Sequence, residues 1–424
     1  MSVRQPKNRF LAMMALIIAG EAIFFLPFTL PRVFRPTLLD VFQITNFELG
    51  SAFAAYGVVA MISYFFGGPI ADRIPARNLI TLALMATAAG GFCMALIPSV
   101  FIMTLIYAFW GMTTILLFWA ALIRATREWG RTDIQGRAFG LLDGGRGISA
   151  ALISTMGVAL MSQLLPADVE AAGMDERVAS FQYVILAFSM FTFLISILAW
   201  FSLPSGTIEG KHNFKYDLAG VLIMLKNPVI WIHSIILLCA YVGYKLTDDF
   251  SLYAQDVLGL DEVKSAGVGA LGIWLRPVAA ITAGLLADRY LSSRLIIYSF
   301  ILLMIGGIAT SSGFFENIVL LPYVFLFLFV GCGAYALRVL YYSVMEEAGI
   351  PLVLTGTAVG IISVVGYTPD VFIGPLMGWL LDASPGVTGH RHVFLVLTGF
   401  ACIGFVASIW YRILINKGAK SIAG

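Results

Sequence analysis

Charged side chains are scarce in this sequence, and several stand where lipid-like surroundings would penalise them. Glu21, Arg146 and Arg276 each fall near the middle of a long apolar stretch. Lys245, Asp248, Asp249 and Asp370 fall toward one end of such stretches, and Arg124, Asp143, Arg338, Glu346 and Glu347 toward the other. Ionisable groups in a membrane-spanning segment cost roughly 2.5–3.5 kcal/mol each on insertion scales, so they line a water-filled path or pair with one another. A guanidinium can fork onto a carboxylate or phosphate, which makes Arg146 and Arg276 candidates for an anion site. Held instead by Glu21 or Asp143, they would be structural ion pairs that fix helix register. Low dielectric penalises a bare carboxylate. Glu21 is therefore the candidate for taking up and releasing a proton, its other reading being a fixed counter-ion to Arg146. Asp370 follows Pro369 at an expected helix break, where it could hold a proton or cation, or simply cap the broken helix. Lys245 can meet a solute or snorkel to the interface. Tyr244, Trp274, Tyr341 and Tyr367 lie near these charges and are candidate solute contacts.

The elements that position these residues follow from composition. Of 424 residues, 60% are hydrophobic and 12% charged, against roughly a quarter charged in an average soluble domain. That much apolar surface requires an apolar solvent, and a helix of about 20 residues crosses a bilayer core. Apolar stretches near 10–34, 47–70, 78–97, 101–124, 138–164, 181–203, 227–248, 265–287, 294–313, 318–345, 355–381 and 392–414 predict twelve spans. The first is too long for a signal-peptide core and reads as a retained span. With a cytoplasmic N-terminus, sixteen of the 26 Lys and Arg fall on inside segments, from Arg4, Lys7 and Arg9 to Arg412, Lys417 and Lys420. Only Arg32, Arg35, Arg177, Lys264 and Arg391 fall outside. This bias puts both termini in the cytoplasm.

The net charge of +2 and the lack of a Lys/Arg run exclude a nucleic-acid surface. Cys93, Cys239, Cys332 and Cys402 lie singly in apolar stretches, so neither a disulfide framework nor a zinc site is expected. His390 and His392 are expected in an outer loop, with no acid–histidine spacing for a metal. Gly267-Val-Gly-Ala-Leu-Gly272 opens no strand–helix unit and reads as helix packing; Gly206 to Lys211 lacks the Walker spacing. No cofactor is implied, and without a nucleophile–base constellation an enzyme is not expected.

A repeat divides the chain. Gly68-Pro-Ile-Ala-Asp72-Arg73-Ile-Pro-Ala-Arg77 follows the second stretch, and Gly284-Leu-Leu-Ala-Asp288-Arg289-Tyr-Leu-Ser-Ser-Arg294 follows the eighth. Two such copies imply parallel halves with substrate at their interface. The expected architecture is an all-α membrane protein: a six-helix bundle over 1–203, a cytoplasmic linker over 204–226 and a second, pseudo-symmetric six-helix bundle over 227–424. Gly68 and Gly284 would allow close helix approach. Asp72, Arg73, Arg77, Asp288, Arg289 and Arg294, with Arg124, Asp143, Arg338 and Glu346, are the expected gating residues.

The two decapeptides resemble the G-x-L-A-D-R-x-G-R-R signature of the major facilitator superfamily, with Pro75 departing from its usual Gly. Gly140-Leu-Leu-Asp143-Gly-Gly-Arg146-Gly, Arg338 with Tyr341 and Tyr342, and Val365-Gly-Tyr-Thr-Pro-Asp370-Val-Phe are similar to a group of bacterial carriers near the organophosphate:phosphate antiporters and the sugar-phosphate sensor. The resemblance implies a monomeric multi-pass carrier in the bacterial inner membrane. Its cargo would be a small organic anion, moved by alternating access with proton symport or anion exchange, its partners being solute, bilayer, and protons or a counter-transported anion. A proton-coupled exporter of amphipathic or cationic compounds, and a transporter-shaped ligand sensor, are the alternatives.

Overall fold

The computed structural model describes residues 9–130, 135–166, 168–169, 171–205, 218–287, 289–313, 321–348 and 355–423. Twelve helices among them are long and apolar enough to cross a membrane. They are α1 (Arg9–Val33), α2 (Asn46–Ala71), α3 (Ala76–Met94), α4 (Val100–Gly130), α5 (Arg137–Leu164) and α6 (Met174–Ser202). The remainder are α7 (Pro228–Asp256), α8 (Glu262–Ala287), α9 (Ser292–Ser312), α10 (Leu321–Leu340), α11 (Ala358–Ala383) and α12 (Val387–Asn416). Leu82, Phe101, Phe201, Ile281 and Trp410 are among many large apolar side chains left exposed on them, as lipid-facing surfaces require.

Several boundaries differ from the sequence reading, α4 running on to Gly130 and α6 starting at Met174 among them, and two differ for a visible physical reason. The seventh stretch does not end at its polar cluster. A tight turn at Leu246–Asp249 carries α7 on through Phe250–Asp256, because Lys245 and His390 satisfy the acids at which the apolar run stops. The twelfth span starts at Val387 instead of 392. His390 is consequently a buried helix residue and not part of an outer loop.

Helix starts are set by local chemistry. Thr45 Oγ1 accepts from the Glu48 amide (3.1 Å) and Glu48 Oε2 from the Thr45 amide (2.8 Å), a reciprocal cap that begins α2. Asn227 Oδ1 accepts from the Val229 amide at 3.0 Å to begin α7. α11 breaks at Tyr367–Thr368, before Pro369, whose missing amide cannot continue the ladder.

Four spans depart from regular winding: α1 and α4 widen at Phe25–Thr29 and Met112–Trp119, α7 tightens at Leu246–Asp249, and α10 widens at Val324–Gly331. In lipid the loosened backbone needs polar support. For α4 that support comes from Thr113 and Thr114, whose hydroxyls both reach the Trp110 carbonyl and pair with Thr87 and Tyr56 at 2.7 Å.

The described chain forms two compact units, one of Met1–Phe214 with Gly259–Trp274, the other of Lys215–Leu258 with Leu275–Gly424. Gly259–Trp274 joins the first unit through specific contacts. Arg177 Nη1 lies 2.5 Å from Glu262 Oε1, Thr37 donates to Glu262 at 3.5 Å, Trp274 donates to Thr155 at 3.0 Å, and Ala266, Ala270 and Ile273 enter that unit's apolar core.

Asp261, just ahead of α8, accepts from the Lys264 amide at 2.8 Å, with the Lys264 ammonium also at 2.8 Å. Burial works to raise its pKa, but the Lys264 side chain and the backbone amides of Lys264 and Val263 outweigh it and hold the carboxyl below the usual range. Its cap contribution is therefore present above the unfolded carboxylate pKa and fades as pH falls through the lower folded value. Asp261→Ala should cost about 1 kcal/mol at neutral pH. Thermal unfolding of the two proteins should show the gap shrinking in acid, and an equal gap at all pH values would refute the assignment.

Candidate functional site

The first unit holds a polar cluster between α1 and α5 and the second another among α7, α10 and α11, each inside apolar packing. In the first unit α1 and α5 approach closely, since a Cβ at Gly145 would stand 2.6 Å from Ile17 and one at Gly20 would stand 3.0 Å from Arg146 Cδ. Both glycines make room for the Arg146 side chain to cross to α1. There its Nε donates to the Gly20 carbonyl at 2.9 Å and lies 3.4 Å from Glu21 Oε2. Phe24 and Trp119 rings flank the guanidinium at 5.7 and 5.6 Å, adding cation–π attraction.

Arg146 also reaches Asp143 at 3.3 Å, but the Asp143 side chain is 72% exposed whereas Glu21 is 5% exposed. Water screens the first contact far more than the second, so Glu21 is the counter-charge that matters. Trp119 ends the widened turn of α4, which ties that irregular segment to the cluster.

The second unit gathers residues from α7, α10 and α11. Lys245 is buried, 3.3 Å from Asp370 Oδ1 and 3.8 Å from Asp248, so it does not snorkel. The Tyr241 hydroxyl donates to both Asp370 oxygens at 3.0 Å. Asp370 sits in the first turn of the helix that restarts at Pro369, where the helix dipole favours negative charge. Tyr367, in the break itself, is 3.3 Å from the Tyr341 hydroxyl and 3.1 Å from that of Tyr342, which also meets Ser363 at 2.9 Å. Tyr241 packs edge-on against Tyr367, with centroids 4.9 Å apart.

Arg338 belongs to this tyrosine group. Its guanidinium lies over the Tyr244 ring at 4.1 Å. Its Nη1 is buried and donates to no described residue. The sequence reading places Arg338 among gating residues; the structure sets it beside Tyr244, Tyr341 and Tyr367, three of the expected solute contacts. Tyr241 and Tyr342 complete the cluster, and spacing gives little sign of them, because α11 brings its tyrosine across only at the break.

The remaining expected residues fall elsewhere. Trp274 is engaged with Thr155 in the first unit, and Arg276 is half-buried on α8 in the second unit. Asp72, Arg73, Arg289 and Arg294 are exposed at helix ends. Asp288 and the Glu346 side chain lie outside the described residues. Among the described residues the close approach expected at Gly68 and Gly284 is not found, since a Cβ at either would meet none of them within 4 Å; the neighbouring Gly67 instead would bring a Cβ to 3.1 Å from the Ile115 carbonyl.

Arg77 stacks on Trp200 at 4.3 Å, and Arg124 donates to Glu128 (2.7 Å) and the Ala71 carbonyl (2.5 Å). Arg77 and Arg124 line a cavity of about 40 Å³, room for little more than a water and too small for an organic solute. Glu347 caps α9 by accepting from the Ser293 amide at 3.1 Å. Among the described residues no three His, Cys, Asp or Glu converge to hold a metal ion.

Twelve spans with paired charges and hydroxyls buried inside them define a polytopic membrane protein. The chain belongs to the Major Facilitator Superfamily, which matches residues 17–369. It is 27% identical over 411 residues to inner membrane protein YqcE of Escherichia coli K12, covering 94% of this chain and 93% of that one. It is 25% identical over 436 residues to inner membrane protein YihN of the same organism, covering 98% of each. A third relative there, the probable galactarate/D-glucarate transporter GudP, is 28% identical over 196 residues, covering 44% of this chain and 41% of that protein. The crystal structure of nucleoside transporter NupG superposes with a TM-score of 0.71 over 96% of this chain and 99% of that one, at 13% identity. The chain is accordingly a multi-pass inner-membrane protein that transports small-molecule solutes.

Removing one partner of a buried pair strands the other charge, at a cost of about 3–5 kcal/mol. Arg146→Ala should therefore destabilise the protein strongly, and Arg146→Ala with Glu21→Gln much less. A double-mutant cycle by unfolding in nanodiscs checks this. Additive losses would show that the two side chains do not act as a pair.

Proposed function

We propose that this chain is a secondary active transporter of a small hydroxylated organic anion, carboxylate- or organophosphate-like, moved across the inner membrane by alternating access. The observation that carries the reading is Arg338, whose buried Nη1 has no hydrogen-bond acceptor among the described residues. A buried donor left unmade is costly. An anionic group supplied by the solute would remove that cost, and a guanidinium would grip it in two-pronged fashion. The hydroxyls of Tyr341, Tyr342 and Tyr367 offer hydrogen bonds to a hydroxylated carbon chain. The relative named as a probable galactarate/D-glucarate transporter supports a sugar acid as the first solute to try. Arg146, Arg276, Lys245, Tyr244 and Trp274 are the further solute contacts expected from the sequence.

Glu21 supplies the coupling. While ionised it occupies Arg146 at 3.4 Å; once protonated it leaves the guanidinium free to attract an anion. Proton uptake and anion binding then favour one another, and linkage makes the effect reciprocal. Asp370, paired with Lys245, is the second proton candidate, and exchange for another anion is the alternative to symport.

Galactarate, glucarate and organophosphate uptake into proteoliposomes tests the cargo. A charge-assisted hydrogen bond of about 1.5–3 kcal/mol corresponds to roughly 10- to 100-fold, so Arg338→Ala should lower uptake by that factor. Arg338→Lys should restore only part, because an ammonium lacks the planar fork. Wild-type rates in Arg338→Ala, or efflux of cationic compounds with no anion uptake, would refute the reading.

A second experiment addresses coupling. Glu21→Gln should abolish accumulation driven by a pH gradient and keep solute-for-solute counterflow. Undiminished pH-driven accumulation in Glu21→Gln would remove Glu21 from the cycle.

A further inference from the structure

A third polar cluster lies in the second unit, where α7 ends and α12 begins. His390 is fully buried. Its Nδ1 is 2.7 Å from Asp249 Oδ2 and its Nε2 is 3.2 Å from Asp256 Oδ2. Asp249 is fully buried as well, whereas the Asp256 side chain is 29% exposed. Tyr253, between the two acids on α7, packs its ring edge-on to the imidazole at 5.4 Å. On His390's own helix the neighbouring Arg391 lies against Gly313, whose φ of +65° and lack of a Cβ make room for it.

A neutral imidazole has one N–H and one bare lone pair. Here both ring nitrogens face carboxylate oxygens, so a neutral ring between two carboxylates would set one lone pair against another. The arrangement is satisfied only when the group of three holds a proton beyond those of a neutral ring and two carboxylates. In the resting group that proton sits on the ring as imidazolium, the one state in which each nitrogen donates to a carboxylate, and from there it can shift to either acid.

We infer that Asp256, His390 and Asp249 form a proton-binding relay at the end of α7 remote from Pro228, open to solution at Asp256 and closed at Asp249. One proton moves from Asp256 Oδ2 to His390 Nε2 as another leaves His390 Nδ1 for Asp249 Oδ2. The ring finishes neutral but in its other tautomer, its hydrogen now on Nε2 in place of Nδ1, so a ring flip or a returning proton must reset it before a second transfer; the net result of one pass is one proton carried inward from Asp256 to Asp249. Asp249 Oδ1 is buried and makes no hydrogen bond to a described residue, so neutralising this carboxylate lessens an uncompensated burial. The next residue, Asp248, faces Lys245 at 3.8 Å, and Lys245 faces Asp370 at 3.3 Å. The relay therefore ends beside the acids and ammonium of the tyrosine cluster. The bias of Lys and Arg places this end of α7 on the outer side of the membrane. The relay's use in transport rests on the proton-coupled reading above; its existence as a proton site does not.

Two measurements test it on the full chain in lipid. Nitrogen-15 NMR of histidine-labelled protein in nanodiscs should show one imidazole with both nitrogens protonated at pH 7, absent in His390→Gln and shifted in Asp256→Asn, the milder variant should His390→Gln misfold. A His390 signal with one bare nitrogen at pH 7 overturns the proton site. Proteoliposomes loaded with a pH dye and given galactarate should acidify in wild type and at least fivefold more slowly in His390→Gln and Asp256→Asn, with galactarate counterflow retained. Unchanged acidification in both variants overturns the relay. A doubly protonated His390 in a protein whose galactarate flux moves no protons overturns the coupled reading and the relay together, leaving a fixed ion cluster.

Discussion

Lipid offers no hydrogen bonds, so every charge drawn into a bilayer must be answered from within the protein. That constraint organises the chain more tightly than apolar packing does, because apolar side chains are at ease facing either lipid or one another. Arg146 is answered by Gly20 and Glu21, and Lys245 by Asp370 and Asp248. His390 is answered by Asp249 and Asp256. Each solution fixes the approach of particular helices: α1 to α5, α7 to α11, α7 to α12. Glycines at 20 and 145 serve that purpose by letting α5 come close enough for its arginine to reach the α1 backbone.

The irregular turns obey the same constraint. A span that widens or breaks exposes backbone groups, and polar residues gather at three such places here. Thr113 and Thr114 support α4, Asp370 and Tyr367 occupy the break of α11, and Asp248 and Asp249 occupy the tight turn of α7. Regular helix needs no such residues. The polar groups of the membrane interior therefore collect where the winding changes, and the same places become the polar interior that a solute could use.

Much of this is legible in the sequence, for definable reasons. The twelve spans follow from length and hydropathy alone, and the depth of Glu21 and Arg146 from counting along a helix at about 1.5 Å per residue. Side-chain partners between spans are less legible. The proximity of Glu21 to Arg146 is one open alternative among several, and Tyr241 meeting Asp370 depends on how α7 and α11 pack. His390 escapes the sequence reading because that reading ends a helix at its first polar residue, which fails when a partner on another helix satisfies the residue. Asp249 and Asp256, two turns apart on one face of α7, are the signal available for it. The repeat points to its glycines and charges as sites of close contact, yet a Cβ at Gly68 or Gly284 would meet no described residue within 4 Å and Arg77 rests on Trp200.

The two arginine sites differ in a way that bears on coupling. Arg338 holds a buried N–H without an acceptor among the described residues, so binding an anion there removes an existing cost. Arg146 already has its acceptors, so an anion arriving beside it must replace Glu21 and gains only the difference between two similar contacts. Differential affinity is what moves a conformational equilibrium, and a like-for-like exchange supplies little. Protonating Glu21 converts that exchange into a net gain by removing the competing charge. On this argument Arg338 is suited to holding cargo in either state of the cycle. On the proposed reading Arg146 would respond to cargo only after a proton arrives, and selectivity for the anion would lie in one unit and its dependence on the proton gradient in the other.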